Sequence, residues 1–108
     1  MSPDGRLLAS VRGTEVRLWD LRTLTPAVRP LLGQAPSDIY SLAFSPDGKN
    51  VAAGTYDGAI VIWNTPARQE IGSFKLHRSI VRSIAFSPNG RSLISASYDH
   101  TVRQWTVP

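Results

Sequence analysis

The sequence predicts an all-β chain built from one strand-rich unit repeated about two and a half times, and three observations carry that prediction. Tryptophans fall at Trp19, Trp63 and Trp105, spaced by 44 and 42 residues. The tetrapeptide Ser-Pro-Asp/Asn-Gly begins at Ser2, Ser45 and Ser87, spaced by 43 and 42. Between these marks the apolar residues come in short runs bounded by turn residues, and no stretch reads as a helix. A fixed period of this length means one supersecondary unit per copy.

The elements follow in the same order in each copy. The runs "IYSLAF" (Ile39–Phe44) and "VRSIAF" (Val81–Phe86) set Leu42 and Phe44 opposite the smaller Ser41 and Ala43, as a strand does. "SPDG" or "SPNG" then ends the strand, since proline presets turn geometry and Asp-Gly or Asn-Gly reaches positive φ readily. Small-residue strands follow, "NVAAGT" from Asn50 and "SLISAS" from Ser92. Tight turns at Tyr56–Gly58 and Tyr98–His100 lead into "AIVIW" and "TVRQW". The runs "AVRPLL" (Ala27–Leu32) and "QEIGSF" (Gln69–Phe74) read as weaker outer strands, and Pro30 marks the first as an edge because it has no amide to donate.

The inner strands are apolar or small on both faces. Such strands belong to sheets covered from both sides, as when four-stranded sheets stack face to face like blades; a sheet with one wetted side reads differently. The sequence "SPDG", then "LLAS" or "LISAS", then "YD", then "VRLWD" or "VRQWT" resembles the WD-repeat (WD40) β-propeller family over nearly the whole chain. Trp19-Asp20 matches the naming dipeptide, which becomes Trp63-Asn64 and Trp105-Thr106 in the later copies. The family's Gly-His pair is represented by Leu76-His77 and, displaced by one residue, by Gly33-Gln34. The expected fold is therefore a partial WD-repeat propeller over residues 1–108: an incomplete first repeat (1–24), a second (33–66) and a third (76–108). A ring of this kind needs more blades, about four at the least. The expectation is a segment of a longer propeller or, alternatively, several copies that complete a ring by self-association.

Serine, histidine and a carboxylate, here Ser95, His77 and Asp99, together suggest nucleophilic catalysis. The resemblance implies a different role. In the family a His, a strand Ser/Thr, a turn Asp and the strand Trp form a hydrogen-bonded structural tetrad, and the third copy supplies His77, Ser95, Asp99 and Trp105. Nothing in the sequence provides a glycine-flanked nucleophile elbow, so the structural role is preferred and no catalytic residue is expected. The second copy keeps Asp57 and Trp63 but has Ala53 in place of the hydroxyl, and in the first Gly13 stands where the turn aspartate would be.

Binding is expected on a rim instead. Tyr40, Tyr56 and Tyr98 avoid the slots held by Phe44, Phe86 and the tryptophans. By the resemblance, Asp38, Tyr40 and Tyr56 of one blade and Ile80, Arg82 and Tyr98 of the next face one rim and contact partners. Tyrosine and arginine are common interface anchors; the same tyrosines can equally pack over strand ends with wet hydroxyls. The expected function is a non-catalytic scaffold for protein or peptide partners. The alternative is a purely structural segment whose only partner is the rest of its propeller.

Other classes find little support. The net charge is +4, and ten of the twelve basic residues are arginine, but they are dispersed along the chain, which argues against direct nucleic-acid binding. Two histidines, no cysteine and no EF-hand spacing give no metal motif. No phosphate-cradling glycine loop is present, so no cofactor is expected. No apolar run approaches the length of a membrane span, and the first residues lack the pattern of a secretory signal. A cytoplasmic protein with no membrane partner is the expectation.

Overall fold

The structure, a computed structural model, describes residues 2, 3, 5, 7–20, 25–67 and 69–107, with only the backbone described at 20 and 25–32. Met1, which the sequence aligns with Phe44 and Phe86, and residues 21–24 of the first repeat lie outside them.

Among the described residues ten strands form three antiparallel sheets. The first sheet holds β1 (Leu7–Arg12), β2 (Glu15–Asp20) and β3 (Thr25–Gln34) in that order. The second runs β4 (Ile39–Phe44), β5 (Asn50–Thr55), β6 (Ala59–Asn64), β7 (Gln69–Lys75). The third contains β8 (Val81–Phe86), β9 (Ser92–Ser97) and β10 (Val102–Thr106). Every strand expected from the sequence is present. The middle sheet is complete with four, while each flanking sheet shows three. Strand β3 runs past both ends of Ala27–Leu32, and it is an edge strand, as Pro30 requires. Its pairing with β2 shifts register on either side of Arg17, the irregularity expected where a proline withholds a ladder bond.

The Ser-Pro-x-Gly turns explain why consecutive strands reverse so sharply. Ser45 Oγ donates to Asp47 Oδ1 at 2.6 Å and accepts the amide of Asn50 at 3.0 Å, while the Lys49 amide reaches the same Oδ1 at 2.9 Å. Ser87, Asn89, Arg91 and Ser92 repeat the pattern at 2.7, 2.9 and 3.1 Å. One serine thus closes the first rung of the ladder and fixes the turn side chain, so the turn needs little help from tertiary packing.

The core lies between sheets. Val16 and Leu18 of the first sheet pack with Ile39, Val51, Ala53, Val61 and Trp63 of the second. On the opposite face Ala52, Ile60 and Ile62 pack with Val81, Ile84 and Leu93 of the third. Successive residues of β5 and β6 therefore enter different cores, because strand side chains alternate in direction. Both faces of β5 and β6 are dry, as the sequence pattern implied for the inner strands, while the outer β7 is largely exposed. Small residues permit the close approach: a Cβ on Gly54 would collide with Val81 and the Ser41 hydroxyl.

Candidate functional site: a turn network and a tyrosine rim

The turn after β9 carries the densest polar cluster. Asp99 Oδ1 accepts the Thr101 hydroxyl at 2.5 Å and the Thr101 amide at 2.9 Å. Its Oδ2 accepts the Arg78 amide and pairs with His77 Nδ1, each at 3.0 Å. These donors hold the Asp99 carboxyl well below the usual carboxylate range. The Thr101 hydroxyl contributes most, desolvation opposes, and the Arg78 and Thr101 amides and His77 add to the lowering. An ionised carboxylate can only accept, so the imidazole proton sits on Nδ1, shared with Thr101 Oγ1 at 3.0 Å. In the neutral ring Nε2 then accepts the Ser95 hydroxyl at 2.7 Å.

The structure brings His77, Ser95 and Asp99 together but leaves Trp105 outside their hydrogen bonds. The Trp105 indole nitrogen is buried and has no hydrogen-bond partner among the described residues; Thr101 takes the fourth place in the network. The first sheet shows the contrast, since Trp19 Nε1 donates to Ser10 Oγ at 2.9 Å. Both pairs sit in one register, with Ser10 opposite Arg17 and Ser95 opposite Arg103. The difference is what else competes for each group. Ser95 is engaged by His77, and the Trp105 ring meets Phe74 nearly edge-on, with centroids 4.8 Å apart at 66°.

The second sheet locks its own turn aspartate without a histidine. Thr55 Oγ1 donates to Asp57 Oδ1 at 2.5 Å, and the Ala59 amide reaches the same oxygen at 3.2 Å. That hydroxyl is the main cause of a lowered Asp57 carboxyl; desolvation opposes it, and Ser37, the Ala59 amide and the charge of Lys75 reinforce it. The locking threonine thus lies two residues before Asp57 but two residues after Asp99. Sequence reasoning missed Thr55, Thr101 and Ser10. For the two threonines, a hydroxyl two positions from a turn aspartate was the available signal.

The Gly33-Gln34 pair has a packing role at its glycine. A Cβ on Gly33 would run into the Trp63 indole, so the outer strand of the first sheet can approach the middle sheet only through a residue with no side chain. Histidine 77 enters its turn differently: its amide donates to the Gly58 carbonyl at 3.1 Å, which ties the third sheet to the middle one.

Catalysis by the Ser-His-Asp trio meets a steric obstacle. Ser95 is 0% and His77 2% exposed, so no substrate atom reaches the hydroxyl without opening the sheet. Among the described residues no group of three or more histidine or acidic side chains is placed to hold a metal ion.

The rim residues are disposed otherwise. Tyr40, Tyr56 and Tyr98 are 54, 56 and 59% exposed. Tyr56 and Tyr98 occupy equivalent places: their amides donate to the carbonyls of Asp38 and Ile80, at 2.8 and 3.0 Å. Tyr40 and Tyr56 lean together with ring centroids 5.8 Å apart at 52°. Arg82 is exposed and Ile80 half-buried; Arg82 and Tyr98 border one hollow of about 340 Å³ with Ser97, His100, Thr101 and Val102. Asp38 instead borders a separate hollow of about 390 Å³ with Arg12, Gly13, Thr14, Glu15 and Arg17.

Three antiparallel sheets stacked through paired apolar faces, with polar turns locked at one end, define a β-propeller segment. The family described as "WD domain, G-beta repeat" matches residues 28–64 and 68–106, and the chain belongs to it. Each matched stretch begins at an outer strand and ends at an inner hairpin. Among relatives, the chain is 46% identical over 61 residues to the periodic tryptophan protein 2 homolog of Schizosaccharomyces pombe, covering 56% of this chain and 7% of that protein. It is 34% identical over 76 residues to protein groucho of Drosophila melanogaster, covering 69% of this chain and 10% of that protein. Solved structures of the RRP9 WD40 repeats and of U3-55K superpose with TM-scores of 0.89 and 0.87, at 26 and 27% identity. Each covers 99% of this chain, which spans 34% of either structure.

Proposed function

We propose that this propeller segment is a non-catalytic protein-interaction scaffold that presents its tyrosine-bearing rim to peptides or domains. The observation that carries the reading is the exposure of Tyr40, Tyr56 and Tyr98 at the ends of adjacent sheets. Rings of that size left half in water offer area and few rotors to freeze, which suits interface anchors. Arg82 beside Tyr98 adds a guanidinium able to reach carboxylates or carbonyls. In this reading His77, Ser95, Asp99 and Thr101 stabilise the turn that holds Tyr98 in place.

A second reading is favoured by the exposed apolar side chains of the flanking sheets. Leu8 and Val11 in the first, and Ile94 and Val102 in the third, are open to solvent. They suit a segment whose main partner is further blades of its own propeller. Partner capture by the intact chain and by Tyr56→Ala/Tyr98→Ala, with circular dichroism to verify folding, separates the two. Loss of capture by the folded variant supports the rim; undiminished capture removes the rim reading, and no capture by the intact chain favours a structural role.

A further inference from the structure

The arginines that are dispersed along the sequence are not all dispersed in space. The end of β7, the loop after it and the edge strand β10 enclose a groove of about 470 Å³ lined by Lys75, Leu76, His77, Arg78 and Arg103. A ring contact beside the groove accompanies this convergence. Phe74 and Trp105 meet edge-on between the second and third sheets, and Lys75 and the β10 residue Arg103, close to them in sequence, border the same opening. Lys75, Arg78 and Arg103 are all exposed.

Nothing negative lines this groove. Asp99, the nearest acid along the network, already takes four hydrogen bonds from Thr101, His77 and the Arg78 amide. Among the described residues Arg17 pairs with Glu15 and His77 contacts Asp99, and neither Arg78 nor Arg103 joins an ion pair. Lys75 acts at a distance on Asp57, whose carboxyl it helps to lower. Two guanidiniums and an ammonium thus border one concavity that has no carboxylate among its lining residues.

We propose that this groove binds an acidic segment of a protein partner, its carboxylates gripped by Arg78 and Arg103 and offset in charge by Lys75. Guanidinium pairs with carboxylate through two parallel hydrogen bonds, and such charge-assisted pairs are the stronger class. The groove favours peptide over nucleic acid on shape and chemistry. A single-strand site needs a charged track with aromatic planes for the bases. These cations are gathered at one concavity, and its lining residues include no Phe, Tyr or Trp, the one ring being the buried imidazole of His77. The inference shares one premise with the rim reading, that the partner is a protein, and uses none of the tyrosines.

The test is fluorescence anisotropy with a labelled Glu/Ser-rich peptide and a labelled single-stranded oligonucleotide of matched charge. Arg78→Gln/Arg103→Gln is expected to weaken peptide binding by about tenfold or more, as loss of a charge-assisted hydrogen bond does. Arg17→Gln, outside the groove, leaves it unchanged. Arg103→Gln alone keeps the test valid if the double variant fails to fold, because that side chain is exposed on an edge strand and makes no ion pair. Equal peptide binding by the intact chain and a folded groove variant overturns the proposal, as does tighter binding of the oligonucleotide. Peptide binding that survives Tyr56→Ala/Tyr98→Ala but fails in the groove variant upholds the groove even where the rim reading falls.

Discussion

His77 Nδ1 and Asp99 Oδ2 stand 3.0 Å apart across 22 residues of sequence, and the pair joins the entry of the third sheet to its central turn. Asp57, its counterpart in the middle sheet, is held mainly from within its own hairpin by Thr55. Removing Asp99 therefore takes one partner from a buried imidazole, one from Thr101 and one from the Arg78 amide, whereas removing Asp57 loosens one turn. We expect Asp99→Ala to lower the denaturation midpoint clearly more than Asp57→Ala. Equal losses in parallel urea titrations would count against a special role for the histidine.

Acid should weaken the fold through the same turns. Asp47, Asp57 and Asp99 all have carboxyls lowered from the ordinary value of 3.8, each chiefly by a neighbouring hydroxyl: Ser45, Thr55 and Thr101. A group with a lower pKa in the folded state contributes stability that is complete above its unfolded value. That contribution is lost as pH falls through the folded value. Stability is thus expected to be level in these groups above about pH 5 and to decline below about pH 4. The decline should be shallower in Asp99→Asn, as measured by thermal melts at a series of pH values.

The two tryptophans at the flanks should respond unequally to loss of their indole N–H. Trp19 donates to Ser10, while the Trp105 nitrogen is buried without a partner. Ser10→Ala is expected to cost about 1 kcal/mol, the usual net value of such a bond. Trp105→Phe sheds an unsatisfied donor along with its lost area, so it should cost less than Trp19→Phe. Chemical denaturation of the three variants decides the order.

Adding one methyl group at the second interface should be expensive. The Cβ of Gly54→Ala would meet Val81 Cβ and Cγ1 and the Ser41 hydroxyl, and Ser41 Oγ already bonds the Val81 carbonyl at 2.9 Å. Overpacking of this kind costs about 1–3 kcal/mol. By contrast His100 adopts φ of 69° as a non-glycine residue, so His100→Gly is expected to gain about 1 kcal/mol by relieving left-handed backbone. Melting temperatures moving in opposite directions for the two variants bear this out.

Much of this architecture is legible in the residues because its rules are local. Ser45, Pro46, Asp47 and Gly48 encode a turn by themselves, and the recurrence of Trp19, Trp63 and Trp105 marks the unit without reference to anything distant. The two-faced apolar character of "NVAAGT" and "AIVIW" likewise announces that both sides are covered. Contacts settled between sheets are harder to read. Trp105 satisfies the sequence pattern for the hydrogen-bonded tetrad, yet its ring turns to Phe74, a residue of another sheet and another copy. The gathering of Lys75, Arg78 and Arg103 depends on the same packing, and spacing along the chain conceals it. Thr55 and Thr101 were missed for a different reason. Each locks its aspartate from the opposite side, so aligning the copies sets neither threonine against the other.

The alternation along β5 and β6 has a consequence for how the molecule comes apart. Val51 and Val61 serve one core while Ala52 and Ile62 serve the other, so the middle sheet cannot open until it has been released on both flanks. Breathing should begin at the periphery, with β1 and β10 exchanging their amide protons early and the β5–β6 ladder surrendering its protons last. The slowest amide clock of the chain thus lies where two interiors share the same pair of strands.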